Sequence, residues 1–338
     1  MPLRPLSVSR VTLRFRQSLL FNRIPESQRG AWLALISAIG YSVTNLALRD
    51  LSGAHGGQGW DIWVSAGKAV PTACLAWILV LKNRAPGQAL LPPKQLLLPL
   101  IAAALVMQIG GNVGFQTALR FIGLAITVPL VFAGIIISGA LLGRTFLGDP
   151  VTPRTIVAML LMTLAIVALS TAATDESTAA AGGEKLTAAT DSERIINSVI
   201  GVAIAIVSGL SYGVNGVVIR RYVRDKLPVE STLVVFGTTG TILLGTTGFA
   251  MLGLHELRTV TGGEWAMILV AGSFNAFAFF CVTYAFKLMS ISRVNVINAT
   301  QNAMCAVGAV VVFSEPLTAS MVAGIVLTML GLAALDRT

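Results

Sequence analysis

Ten long apolar segments, separated by short polar connections, dominate the chain. Each holds about 20 mostly hydrophobic residues, the length at which an α-helix spans the hydrocarbon core of a bilayer. They run over 31–49, 62–81, 95–118, 122–143, 155–172, 198–219, 231–253, 266–286, 294–313 and 317–335. None shows the alternation of apolar and polar residues that is typical of membrane β-barrel strands. The pattern therefore predicts an all-α integral membrane protein with ten transmembrane helices.

The apolar segments form two similar sets. Residues 30–49 (GAWLALISAIGYSVTNLALR) match residues 201–220 (GVAIAIVSGLSYGVNGVVIR) after a shift of 171 positions. A second match, with a shift of 167 positions, relates Arg120 to Lys287. Because each set would contain an odd number of helices, the second set must enter the membrane in the opposite orientation. We therefore expect two inverted-topology five-helix repeats, an arrangement that is typical of secondary transporters.

The distribution of charge predicts how the chain is organised and oriented. The expected units are a basic cytoplasmic tail, a first repeat, an acidic extracytoplasmic linker and a second repeat, over 1–29, 30–172, 173–197 and 198–335. If the N-terminus is cytoplasmic, 18 of the 24 Lys and Arg residues fall in cytoplasmic segments, as the positive-inside rule requires. Both termini should then be cytoplasmic. The linker is polar and rich in Ala, Thr and Gly, which predicts a flexible connection.

The overall composition excludes several classes of protein. Hydrophobic residues make up 55% of the chain and charged residues only 12%, whereas about 25% of a soluble domain is charged. The net charge of +9 does not indicate nucleic-acid binding, because the basic residues lie between apolar segments without a nucleic-acid motif. The three cysteines and two histidines show no metal-site spacing, so we expect no metal and no cofactor. The expected partners are the lipid bilayer and a small-molecule substrate, and a homodimer is left open.

One motif in the chain has the form of a catalytic site. Residues 209–213 (GLSYG) match the G-x-S-x-G nucleophile pattern, but that motif requires a sharp strand-to-helix turn and a histidine partner. Here it lies within an apolar segment, and both histidines lie near predicted loops. We therefore expect no enzymatic activity and no catalytic residue.

Uncharged polar side chains recur inside the apolar segments, where each costs free energy unless it is hydrogen-bonded or faces water. The third segment carries amides spaced i, i+4, i+8 and the ninth carries amides spaced i, i+3, i+7, so each set shares one helix face. The expected substrate-binding residues are Tyr41, Asn45, Gln108, Asn112, Gln116, Tyr212, Asn215, Asn275, Tyr284, Asn295, Asn298 and Asn302. Such groups suit a neutral or zwitterionic solute. Hydrogen bonding between helices is the alternative role.

Lys68 is the one ionisable side chain well inside a predicted span. A lysine at mid-span costs roughly 2.5–3.5 kcal/mol on insertion scales. Either its ammonium group reaches outward to the membrane surface, or a partner neutralises it, and we consider a substrate carboxylate or Glu315 for that role. Asp149 and Glu315 each precede a proline before the last helix of a repeat. For these two acids we expect a capping role at a helix turn rather than proton transfer.

These features together resemble the drug/metabolite transporter superfamily, and within it the EamA type. The resemblance rests on Gly-x6-Ser-x3-Tyr in the opening helix of each half, on the basic residue at position 68, and on the acid-proline steps at 149–150 and 315–316. It covers nearly all of the chain except the tail and the linker. The resemblance implies transport of small metabolites across the inner membrane, frequently the export of amino acids or related compounds.

The expected function is therefore that of an inner-membrane transporter, specifically an exporter, of small polar or amphipathic metabolites such as amino acids. It would work by alternating access from a cavity between the inverted repeats. The alternatives are a membrane sensor or scaffold without transport, a proton-coupled drug efflux carrier, and a lipid-modifying enzyme. No Asp or Glu lies deep inside a predicted span, which disfavours proton coupling.

Overall fold

The structure is a computed structural model that describes residues 25–52, 54–83, 90–180, 191–313 and 317–335. The helices are α1 (Glu26–Leu51), α2 (Gly57–Asn83), α3 (Lys94–Val106), a π-helical segment (Met107–Val113), α4 (Gly114–Leu147), α5 (Pro153–Ala180), α6 (Asp191–Val223), α7 (Val229–Thr259), α8 (Gly262–Leu288), α9 (Ile291–Asn298), α10 (Gln301–Phe313) and α11 (Ala319–Ala334). These described ranges contain no strand. The all-α prediction is thereby confirmed for this part of the chain.

The helices have the length and the surface of membrane spans. Among the described residues, eight stretches are long and apolar enough to cross a bilayer, and the fifth and tenth predicted spans correspond to the shorter apolar helices Pro153–Leu169 and Ala319–Ala334. Large apolar side chains face outward, for example Leu98 at 72%, Val311 at 74% and Met329 at 66% exposure. Lipid must cover so extensive an apolar surface. The chain is a multi-pass membrane protein.

A single glycine separates the third and fourth predicted spans. Gly123, within α4, adopts φ 70° and ψ 172°, a backbone conformation that a residue with a Cβ atom rarely adopts. The chain therefore changes direction at this position, and Lys94–Leu124 and Ile126–Leu147 form separate apolar stretches.

The segment predicted as a flexible linker is helical at both of its ends. Helix α5 continues to Ala180 and α6 begins at Asp191, so only 181–190 separates them. Those ten residues lie outside the described residues, as do residues 1–24 of the predicted tail. The reason for the extension of α5 is local: 171–180 (TAATDESTAA) is rich in alanine, the residue with the highest helix propensity.

The two halves of the sequence pack into each other rather than side by side. The most extensive helix contacts join α1 with α8, α2 with α7, α4 with α6, and α5 with α11. Each of these pairs combines a helix of the first half with a helix of the second half. A polar group on one half therefore meets partners from the other half.

Glycines allow the backbones of α4 and α6 to touch. A Cβ atom on Gly209 would lie 2.3 Å from the carbonyl oxygen of Val131, and one on Gly134 would lie 2.9 Å from the Cα atom of Gly209. Helices α2 and α7 approach in the same way, since a Cβ atom on Gly237 would lie 2.7 Å from the backbone nitrogen of Ala73. In lipid, close packing at small residues provides association that the hydrophobic effect does not provide.

A buried ion pair connects three helix ends. Arg220, in the last turn of α6, pairs with Asp149 of the α4–α5 connection, with 2.8 Å between Nε and Oδ2 and 2.9 Å between Nη2 and Oδ1. Arg220 Nη1 also donates to the carbonyl oxygens of Phe286, at 2.5 Å, and Met289. Asp149 Oδ2 accepts a hydrogen bond of 3.0 Å from the backbone N–H of Ile291, at the start of α9. The pair thus links the first half to three helix ends of the second.

We expect Gly209→Ala to lower the unfolding temperature, because the new methyl group would overlap the backbone of α4. Such overpacking costs about 1–3 kcal/mol, more than the roughly 1 kcal/mol that alanine gains over glycine in helix propensity. Gly245→Ala is the matched control, since Gly245 lies in α7 with nothing within 4 Å of its Cβ position. Tryptophan fluorescence during heating in detergent measures both; equal unfolding temperatures would contradict the packing described.

We expect Arg220→Met to destabilise the protein by about 3–5 kcal/mol, because it leaves the buried Asp149 carboxylate without its cation. The neighbouring Arg221→Met is the control, since Arg221 is exposed. Combining Arg220→Met with Asp149→Asn should cost less than the sum of the single changes, because the two side chains interact directly. Denaturant or thermal unfolding in detergent gives the free energies for this double-mutant cycle. If the losses of the two single variants simply add in the double variant, the ion pair is contradicted.

Candidate functional site

Asn112, in the π-helical segment, is the centre of a buried hydrogen-bond network. Its Oδ1 atom accepts from Lys68 Nζ at 3.3 Å and from the Tyr212 hydroxyl at 2.7 Å. Its Nδ2 atom donates to Gln108 Oε1 at 2.6 Å, and Gln108 Nε2 donates to the carbonyl oxygen of Phe236 at 3.0 Å. We call Lys68, Gln108, Asn112 and Tyr212 the Asn112 network. It joins α2 and the π-helical segment of the first half to α6 and α7 of the second.

The Lys68 side chain is enclosed by protein. Lys68 is only 3% exposed, and its Nζ atom lies 5.7 Å from the centre of the Phe115 ring. Asn275 of α8 donates to the Lys68 carbonyl oxygen at 3.5 Å. Within the part of the chain that the structure describes, no carboxylate lies within salt-bridge distance of the ammonium group. The lysine therefore points toward the amides rather than out to the membrane surface.

Two adjacent glycines allow helix α6 to approach the π-helical segment closely. A Cβ atom on Gly110 would lie 2.3 Å from Ser211 Oγ, and one on Gly111 would lie 2.9 Å from the Tyr212 ring. The wider turn leaves backbone carbonyls for side-chain donors: Ser208 Oγ donates to Gly111 at 2.8 Å, and the carbonyl of Asn112 accepts from Ser65 Oγ at 3.3 Å. Short π-helical segments are frequent at functional sites.

The ninth predicted span consists of two helices rather than one. Helix α9 ends at Asn298 and α10 begins at Gln301. Side chains of the amide-rich stretch bond carbonyl oxygens at the break: Gln301 Nε2 donates to Asn298 at 3.1 Å, and Asn302 Nδ2 donates to Ala299 at 2.9 Å. The Ala299 carbonyl also accepts from the backbone N–H of Asn302 at 3.0 Å. Asn, Gln and Thr side chains compete with the helix for its backbone groups. Because the helix is interrupted between Asn298 and Gln301, the amides of this span do not lie along one face of a continuous helix, as the sequence spacing had predicted.

A second buried contact joins the halves at this break. Asn45 of α1 donates through Nδ2 to Gln301 Oε1 at 3.0 Å, and Ser42 Oγ donates to the Gln301 carbonyl at 3.4 Å. We call Asn45 and Gln301 the Asn45–Gln301 contact. Gln301 was not among the expected binding residues, although its place in the stretch NATQN was a usable signal.

Several expected site residues keep amide atoms without a protein partner. The Oδ1 atoms of Asn215, Asn298 and Asn302 are buried and accept no hydrogen bond from any described residue. Gln116 is completely buried, and neither of its amide atoms has a partner among the described residues. Leaving such an atom unpaired costs about 1–3 kcal/mol, so these positions call for a polar solute or water.

Other expected site residues contact protein groups outside the Asn112 network. Asn295 donates through Nδ2 to the carbonyl oxygen of Ile135 at 3.2 Å, which is the helix-to-helix role considered as the alternative. The Tyr284 side chain lies close to Glu230 of α7. Tyr41 lies in the neighbourhood of Tyr212. Glu315, the second helix-turn acid, lies outside the described residues.

Two polar contacts near the helix ends were not predicted. The buried Asp61 pairs with Arg120, at 3.0 Å between Oδ2 and Nε, and also accepts from Thr117 Oγ1 at 3.3 Å. His55 Nε2 lies 3.1 Å from Glu264 Oε1. The partners in both pairs are far apart in the sequence, so no local spacing could have indicated them.

Two cavities of the structure lie away from these polar contacts. One of about 460 Å³ lies among α2, α7 and α8, with Trp63, Thr241 and Trp265 in its wall. Another, of about 300 Å³, lies between α10 and α11 and is entirely apolar. No group of His, Cys, Asp and Glu that could hold a metal ion occurs among the described residues.

Comparisons with known proteins agree with the resemblance seen in the sequence. Residues 199–335 match the EamA-like transporter family, which confirms that resemblance and is consistent with the drug/metabolite transporter superfamily. A solved structure titled "Crystal structure of protein" aligns with a TM-score of 0.66 over 91% of this chain and 96% of its own length, at 16% identity. At that identity the likeness concerns the fold alone. No curated protein matches the chain.

We expect Asn112→Leu to destabilise the protein more than Tyr212→Phe. The first change removes the shared partner of Lys68, Tyr212 and Gln108, whereas the second removes one hydrogen bond. Each buried group left without a partner costs about 1–3 kcal/mol. Thermal unfolding of both variants in the same detergent is the measurement. A smaller loss for Asn112→Leu than for Tyr212→Phe would contradict the central place of Asn112.

Proposed function

We propose that this chain, whose second half belongs to the EamA-like transporter family, exports small polar or amphipathic metabolites such as amino acids across the inner membrane. The observation that carries the proposal is the burial of the Asn112 network and the Asn45–Gln301 contact where the two halves meet. Polar groups in a lipid-embedded bundle are costly, and they typically mark the path of a polar solute.

The proposal includes two five-helix repeats of inverted topology. A Cβ atom on Gly30 would contact residues 288–289, and one on Gly201 would contact residues 121–122. The shift of 171 positions relates Gly30 to Gly201, and the shift of 167 positions relates residues 121–122 to residues 288–289, so the two contacts are equivalent under the repeat. Tyr41 and Tyr212, which the same 171-position shift relates, lie in the same neighbourhood. A pseudo-two-fold axis in the membrane plane accounts for both observations.

The polar contacts support ten crossings with both termini in the cytoplasm. In that topology, Asp149 and Arg220 both lie on the cytoplasmic side. His55 and Glu264 both lie on the outer side, as do Asp61 and Arg120. Each pair is in contact in the structure, as partners on one side of the membrane can be.

Alternating access in this fold requires more than separation of the sequence halves, because the main helix pairs each combine both halves. The irregular backbone of the π-helical segment and the break at 299–300 provide places where helices can bend. The Arg220–Asp149 ion pair holds the cytoplasmic ends together. Opening toward the cytoplasm would require this ion pair to break.

The hydrogen-bonding groups favour a solute with its own donors. The unpaired Oδ1 atoms of Asn215, Asn298 and Asn302 are acceptors. An amine or amide group of an amino-acid-like solute would donate to them. This chemistry favours transport over a purely structural role, since a scaffold has no need for unpaired buried amides.

One observation favours a proton-coupled carrier as the second candidate. Glu230, in the first turn of α7, is 4% exposed and lies close to the Tyr284 side chain. No cation lies within salt-bridge distance of it among the described residues. The other buried acids, Asp61 and Asp149, are paired with arginines. If coupling to protons occurs, Glu230 is the residue best placed to carry it.

We expect Asn298→Leu to reduce solute flux about tenfold, because the lost acceptor is worth about one hydrogen bond. Its unfolding temperature should change little, since Asn298 Oδ1 has no protein partner. The measurement is the uptake and efflux of labelled amino acids by proteoliposomes, with and without a pH gradient.

Asn295→Leu is the matched control, on the same helix. It should lower the unfolding temperature, because it removes the hydrogen bond to Ile135. Unchanged flux in Asn298→Leu for every transported solute would remove Asn298 from the site. Absence of flux for the whole panel in the unchanged protein would overturn the proposed function.

A further inference from the structure

We infer that Lys68 forms the subsite for a carboxylate group of the solute, an inference that rests on the proposed function and names its substrate class. The solute would be a monocarboxylate or a zwitterion. Its carboxylate would lie against the Lys68 ammonium group, next to Asn112 and the Phe115 ring.

Among the residues that the structure describes, the positive charge of Lys68 has no counterion. Its Nζ atom lies 3.3 Å from the neutral Asn112 Oδ1 and 5.7 Å from the centre of the Phe115 ring. Asp61, two turns earlier on α2, is already paired with Arg120. Burial of an ion is strongly unfavourable without an opposite charge, so an anion from outside the protein would stabilise this arrangement.

The donors of Lys68 match the acceptors of a carboxylate. An ammonium group has three N–H donors, and Lys68 uses one for Asn112. No described residue accepts from the other two. A carboxylate has two oxygens that accept such bonds. Asn112 Oδ1 is held in place by the Tyr212 hydroxyl as well, so the ammonium group is positioned before a solute arrives.

The subsite occurs only once, although the scaffold is repeated. Shifts of 167 to 171 positions place Lys68 on residues 235–239, whose sequence VFGTT carries no charge. One cation, without an arginine beside it, suits a single negative charge better than the two charges of a phosphate group. The subsite would therefore orient an amino-acid-like solute with its carboxylate at α2.

Ligand binding by the purified protein tests this inference without requiring transport. The probes are acetate, butyrate, hexanoate and phenylacetate, each against its primary amide, with inorganic phosphate and sulfate as further anions. At least one carboxylate should raise the unfolding temperature, and its amide should not. Lys68→Met should abolish that shift, Lys68→Arg should retain part of it, and Lys82→Met, the same change at an exposed lysine of α2, should leave it intact.

Three results would overturn the inference: no carboxylate shifts the unfolding temperature, an amide shifts it as much as its acid, or Lys68→Met retains the shift. A shift by phosphate or sulfate alone that is lost in Lys68→Met would also overturn the choice of a carboxylate.

A measurement without ligand separates a binding role from a structural one. Lys68→Met should raise the unfolding temperature of the ligand-free protein by a few degrees, because it removes an uncompensated buried charge while Asn112 Oδ1 keeps the Tyr212 hydroxyl as donor. A lower unfolding temperature would show that the lysine mainly holds the structure together, and would overturn the inference.

Flux measurements separate this inference from the proposed function. If proteoliposomes with Lys68→Met carry labelled solutes as fast as the unchanged protein, transport stands and the carboxylate subsite is wrong. If the unchanged protein carries none of them but binds a carboxylate through Lys68, the subsite stands and the proposed function is wrong.

Discussion

A polar group that is buried within a lipid-embedded bundle needs a hydrogen-bond partner from the protein, from water or from a solute, because hydrocarbon offers none. Asn112 meets this requirement by accepting from Lys68 and Tyr212 and donating to Gln108. Backbone groups follow the same rule, since side chains bond the carbonyls at the π-helical segment and at the break between α9 and α10. The irregular helical segments and the polar side chains therefore depend on each other, because each supplies hydrogen-bond partners that lipid cannot supply to the other.

Close packing supplies the rest of the stability. Helices in lipid gain little from burying apolar side chains, so the contacts at Gly134, Gly209 and Gly237 matter more than they would in water. The same contacts bring the two halves near enough for short hydrogen bonds. The Arg220–Asp149 ion pair then joins the two halves at one end of the bundle.

The chemistry of the site comes from departures from the repeat. The π-helical segment Met107–Val113 corresponds, after a shift of 167 positions, to residues 274–280 in the regular helix α8. Lys68 has no charged counterpart in the second half. A symmetric scaffold provides two equivalent orientations for the membrane helices, whereas an asymmetric site can distinguish the two ends of a small solute.

Hydropathy alone determined the class of the protein, the positions of its apolar segments and the amides inside them, because the length and the composition of a membrane span are local properties. The repeat and the unusual Lys68 were equally visible in the sequence. Only the tertiary structure decided that Asn112 meets Lys68, that Asn45 meets Gln301, and that Asn295 serves to hold helices together. Those outcomes depend on how distant helices pack and where they lose regularity, and neither is encoded in the pattern of any single segment.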